Sequence, residues 1–315
     1  MLPRPSRHQP VTIRWMTQAS RETAARHSRQ RLQTVLLLTG PFTVIEVAGA
    51  LWTGSLALAA DAGHMLTDVG GVGLALFAAW MAARPPTPAK TFGYYRVEIL
   101  AALVNALILL VVAGWIMLEA YQRILLPRAV LAGPMLIIGA LGLAVNLVSA
   151  RLLHQGAAAS LNVRAAYMEV LSDALASVGV LAAAAVIAVT GWTVVDPLVS
   201  IAIAVFIVPR TWRLLVQAVN VLLEGTPAHL KLEEIEAAMT GMAGVRQIHD
   251  LHVWTLTSGR EAMSAHVVVD DVRESERLLE VLHALLHARF GIDHTTIQLE
   301  KDPAVALRIK GPNEV

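Results

Sequence analysis

Two pairs of side chains could do chemistry here. His64 and Asp68 stand four apart in LAADAGHMLTDVGG, residues 58–71. Glu169 and Asp173 stand four apart in NVRAAYMEVLSDALASVGV. Residues four apart share a helix face, so each pair points one way from its helix. Both stretches are otherwise apolar, and an ionisable group at bilayer depth costs at least about 2.5–3.5 kcal/mol. Such groups face a partner or water rather than lipid. Two helices, each offering two donors, can surround one ion with four nitrogen and oxygen ligands, the set a tetrahedral Zn²⁺ takes. Imidazole favours zinc and other late transition metals over Mg²⁺ or Ca²⁺. The rival reading is that these groups only hydrogen-bond helix to helix. A second pair at the same spacing favours the ion. Asp61, three residues before His64, lies at the edge of that face. It could support the ligands, pack helices or line water. The chain has no cysteine, so thiolate ligands and disulfides are excluded.

These groups must be positioned by membrane helices. Of 315 residues, 56% are hydrophobic and 16% charged, against about a quarter charged in soluble domains. Runs near the roughly 20 residues a span requires fall at about 32–52, 57–82, 97–122, 130–153, 164–190 and 193–214. Arginine and lysine crowd the N-terminal segment, the connections 84–96 and 151–164, and the stretch after the sixth span. The positive-inside rule then puts both termini in the cytoplasm, at the cell (inner) membrane. Residues 1–31 read as a basic cytoplasmic tail, with Met1 or Met16 as the start, and 32–214 as the six-helix membrane part. Glu46, Asn105, Glu119 and Asn146 read chiefly as helix-packing groups, and Pro41 as a possible kink. The small-residue runs VGGVGLALFAA and ALASVGVLAAAA permit close helix approach.

After residue 215 the texture changes. HLKLEEIEAAMTGM has helical spacing; VRQIHDLHVWTLT and EAMSAHVVVDD read as strands around an SGR turn. RESERLLEVLHALLHARF is an amphipathic helix, and HTTIQLE alternates as a last strand. The order αββαβ gives a small α+β, ferredoxin-like cytoplasmic domain over 215–302, with 303–315 as a tail. His249 and His252 fall on opposite faces of a strand and are not expected to share an ion. His283 and His287, four apart on a helix, could; a solvated polar face is the simpler reading.

The net charge of +1 gives no field for nucleic acid. No GxxxxGK[ST], HExxH or GxSxG motif occurs, which speaks against ATP-driven pumping of that class and against common hydrolase chemistry. No enzyme is expected.

The segments GSLALAADAGHMLTD, FGYYRVEILAALVN, LNVRAAYMEVLSDALASVGV and HDLHVWTLTSG together resemble the cation diffusion facilitator family of metal–proton antiporters, in its zinc-transporting branch. The resemblance implies a six-span fold, a homodimer and a transport site at His64, Asp68, Glu169 and Asp173. It also implies a regulatory metal site in the cytoplasmic domain at His249, His266 and Glu300; ordinary surface histidines are the alternative there. The zinc branch usually has histidine where Glu169 stands, so Mn²⁺, Fe²⁺, Co²⁺ or Cd²⁺ enter as possible cargo. Alternatively Glu169 turns away and water completes the shell. The connection 151–164 holds only His154, so capture by a histidine-rich loop is not expected. The function implied is export of a divalent transition metal, Zn²⁺ foremost, in exchange for protons. The rival class is a membrane metal sensor without net transport.

Overall fold

The computed structural model describes residues 18–157, 161–271 and 275–301. The expected start codon, tail residues 1–17 and C-terminal tail 303–315 lie outside them. Eleven elements follow in chain order: α1 (Gln18–Thr53), α2 (Leu56–Ala82), α3 (Arg96–Leu125), α4 (Ala132–Ala157), α5 (Leu161–Thr190), α6 (Val195–Leu222), α7 (Leu232–Thr240), β1 (Val245–Thr257), β2 (Arg260–Val269), α8 (Ser275–Phe290) and β3 (His294–Glu300). The first six each contain a stretch long and apolar enough to cross a membrane. Their lipid-type surface is evident in exposed Leu37, Leu51, Val111 and Val189. The backbone pairs internally as hydrocarbon requires.

Two helices run past their expected apolar limits. α1 begins at Gln18 rather than near residue 32, because RETAARHSRQR is rich in good helix formers and nothing in it breaks a helix. α6 continues to Leu222, beyond residue 214. Hydropathy marks where lipid ends, not where backbone hydrogen bonding ends.

The described residues divide into two compact units: those up to Met65 with Ile116–Ile203, and Leu66–Trp115 with those from Ala204 onward. In the first, α1, α4 and α5 pack through small residues. A Cβ on Gly142 would lie 2.9 Å from the Phe42 ring, and one on Gly49 would lie 2.3 Å from Ile138 Cδ1, so glycine is what lets α1 and α4 meet. Asn146 Nδ2 donates to Ser177 Oγ (3.3 Å), tying α4 to α5. At the start of α2, Asp196 from α6 is fully buried. It accepts from Ser55 Oγ (2.5 Å) and from the backbone N–H groups of Leu56 (2.7 Å) and Ala57 (3.2 Å). A helix N-terminus carries unpaired donors and partial positive charge; here a carboxylate from another helix supplies the cap. Arg123 stands 3.9 Å from the same carboxylate and bonds Glu119, which also takes Arg128.

In the second unit, β1, β2 and β3 form one sheet in that order, β1–β2 antiparallel and β2–β3 parallel. Helices α7 and α8 bury Ile235, Met239, Leu282 and Leu286 against Val253, Met263 and Val267 of the strands. This is the αββαβ order read from the sequence. The β1–β2 turn, closed at Gly259 with φ +70°, meets the start of α3: Thr257 and Ser258 donate to Glu98, and Arg260 donates to the Tyr95 hydroxyl at 2.7 Å. Asn105 packs directly against Gly71, so it serves helix contact.

Candidate metal centre

The segment SLALAADAGHMLTD is helical throughout, so the four-residue spacing of His64 and Asp68 becomes one turn of α2. Glu169 and Asp173 are one turn of α5. His64 Nε2 lies 3.5 Å from Glu169 Oε1 and 3.6 Å from Asp173 Oδ1. Asp68 follows one turn on in α2, and one ligand atom from each of the four residues lies within 4.8 Å of the others. His64, Glu169 and Asp173 side chains are 12%, 21% and 7% exposed. Three acidic groups gathered around one imidazole in an apolar surround repel one another unless cations or protons intervene. The chemistry open to such a group is to hold a divalent cation or the protons that replace it. Glu169 does not turn away; it is among the four.

Asp61 is not among them. It is buried one turn before His64, with Ser177 Oγ donating to it at 3.5 Å. Glu46 of α1 is equally buried.

A second cluster lies on the sheet. Strand register sets His249 of β1 opposite His266 of β2. Glu300 ends β3 beside the same stretch of β2. His249 Nε2 lies 3.1 Å from Glu300 Oε2 and His266 Nδ1 lies 2.9 Å from Glu300 Oε1. Burial works against ionisation of Glu300, but the His249 hydrogen bond and the charge of His266 hold its carboxyl below the usual glutamate value. His249 and His252 do not share partners. Between them the strand is irregular, and Asp250 has a left-handed backbone with φ 54°. Asp250 meets His252 Nε2 (3.0 Å) and approaches His266 Nε2 (3.9 Å). The sequence reading passed over Asp250. Its one available signal was an aspartate between two histidines, HDLH, in a strand where charge is otherwise sparse.

Comparison with known proteins establishes the family. Residues 32–223 match the cation efflux transmembrane domain, and residues 227–302 match the cation efflux protein cytoplasmic domain. The chain is 46% identical over 277 residues to the metal cation efflux system protein CzcD of Cupriavidus metallidurans, covering 88% of each. It is 42% identical over 279 residues to the zinc transporter ZitB of Escherichia coli K12, covering 88% of this chain and 89% of that one. It is 40% identical over 277 residues to a Bacillus subtilis protein named cadmium, cobalt and zinc/H(+)-K(+) antiporter, covering 86% and 88%. Among solved structures, the metal-bound C-terminal domain of the CzcD transporter from Cuprividus metallidurans is 40% identical and covers 22% of this chain and 99% of that one, with a TM-score of 0.22. With both domain types matched in order and relatives aligned over most of their length, the chain belongs to the cation diffusion facilitator family, a multi-pass membrane transporter for metal-cation efflux rather than an enzyme.

Proposed function

We propose that the chain exports Zn²⁺ from the cytoplasm in exchange for protons, with His64, Asp68, Glu169 and Asp173 as the transport ligands. The observation that carries this is the convergence of the α2 and α5 pairs within 4.8 Å. Metal binding requires neutral imidazole and ionised carboxylates, so cation and protons compete for the same atoms. The deprotonated site takes M²⁺ from the cytoplasm, the helices reorient, the ion leaves on the other face, and protons refill the ligands before return. One site that holds either cargo but not both is the coupling. Relatives named for zinc transport and for metal/H(+) exchange support this assignment. Glu169 among the four makes the set more anionic and harder, which favours Mn²⁺ and Fe²⁺; the alternative is one of Mn²⁺, Fe²⁺, Co²⁺ or Cd²⁺ as the main cargo.

On the same reading both termini are cytoplasmic, the membrane is the inner one, and residues 215–302 form a dimerising domain whose His249, His266 and Glu300 bind regulatory metal. Everted vesicles given an imposed proton gradient should accumulate Zn²⁺, and a protonophore should stop it. Accumulation indifferent to the protonophore would falsify antiport. Binding that saturates at stoichiometric metal without accumulation would instead make the protein a sensor.

A further inference from the structure

The second half of α8 and the turn after it gather three histidines that neither cluster uses. Leu282 and Leu286 bury α8 on the sheet at 0% exposure, which leaves His283 and His287 exposed, four residues apart. Side chains at that spacing stand one above the other on a helix surface. Gly291, at φ +70°, then reverses the chain. Its N–H bonds the His287 carbonyl at 3.1 Å, the Ile292 N–H bonds the Leu286 carbonyl at 3.3 Å, and Ile292 is buried as the anchor. The reversal returns Asp293 and His294 to the end of α8. His283, His287, Asp293 and His294 line one concave pocket.

The chemistry of this pocket differs from an ordinary solvated face. Asp293 Oδ1 contacts His287 Nδ1. A carboxylate on one ring nitrogen fixes the proton there and turns the other nitrogen into the electron-pair donor, the arrangement that supports metal-bound histidine. His283 makes no hydrogen bond or ion pair among the described residues, and His294 makes only an edge contact with the Phe92 ring, centroids 5.4 Å apart. Three imidazoles with donor nitrogens uncommitted suit Zn²⁺, Co²⁺ or Ni²⁺ and not the hard cations.

We infer that His283, His287 and His294 form a further divalent transition-metal site on the C-terminal domain, with Asp293 orienting His287. Loading it takes rotation of exposed imidazoles on a fixed backbone frame. Three protein donors leave one position for water or an exchanging ligand. The site is separate from the sheet cluster and from the transport ligands, and it stands whether or not the transport proposal does.

The test uses the full chain in detergent with Zn²⁺ alone. In a background carrying Asp173→Ala, His249→Ala and His266→Ala, equilibrium dialysis should still find one bound ion per chain. Adding His283→Ala and His287→Ala should remove it. His294→Ala and, separately, Asp293→Asn should each weaken it about 10–100-fold. A background that binds no ion overturns the site, as does a count unchanged by the double substitution. Affinity unmoved by His294→Ala and Asp293→Asn would reduce it to a bare surface pair and overturn it equally. All four positions lie on the surface, so circular dichroism of each variant should match the parent.

Discussion

The intramembrane cluster and the sheet cluster have similar ingredients and opposite construction. In the first, each helix contributes two donors from adjacent turns, so half the geometry is set by the 3.6-residue period before any helix packs. In the second, three strands contribute one donor each, and nothing local brings them together; only the register of β1 on β2 and of β2 on β3 does. The first sits in an apolar bundle, with Asp173 7% exposed; the second is partly open, with His266 31% exposed. On the proposed reading the difference fits the roles: a site for cargo has to be insulated and rebuilt in each cycle, and a site that only reports on cytoplasmic metal needs access to it.

Substitutions can break or sharpen this contrast. The largest effect is expected at the helical pairs. His64→Ala or Asp173→Ala should lower proton-driven Zn²⁺ accumulation in vesicles by more than about 100-fold, beyond the range for losing an outer supporting group. Next, Glu169→His should raise the Zn²⁺-over-Mn²⁺ transport ratio by about tenfold, equal to ~1.4 kcal/mol, read by metal competition in proteoliposomes. An unchanged ratio would mean that Glu169 does not set selectivity. His249→Ala with His266→Ala should slow transport about fivefold, the low end of ordinary coupling between sites. It should also abolish any metal-induced change in scattering of the purified protein.

The smallest effect concerns protons in the metal-free chain. The folded-state value of Glu300 lies below the ordinary one. Its contribution to stability is therefore present above the unfolded value, about 4.3, and is lost as pH falls through the lower folded value. Thermal unfolding of wild type should show that acid loss, and Glu300→Gln should lack it.

What the sequence made legible follows the same divide. The α2 and α5 pairs could be read because helix spacing is a local rule. That they share one ion was inferred from the equal spacing of the second pair, and the resemblance implied the same four residues. The sheet trio came from resemblance, since pairing register is a tertiary property. Asp250 was missed because its part depends on a left-handed kink within β1. Asp196 was not singled out in the sequence; its signal was an acidic residue just before proline among apolar neighbours, but its partners lie 139–141 residues away. The extension of α1 to Gln18 was hidden because hydropathy is silent about polar helix.

The carboxylate of Asp196 has one last consequence. Since it closes the first turn of α2, that helix cannot slide along its own axis without leaving buried amides bare, at about 1–3 kcal/mol each. Swinging is cheaper than sliding. His64 lies nine residues beyond Ser55, roughly 13 Å along the axis at 1.5 Å per residue. A tilt of about 10° about that pinned end would carry the imidazole some 2 Å sideways, roughly the length of one metal–nitrogen bond.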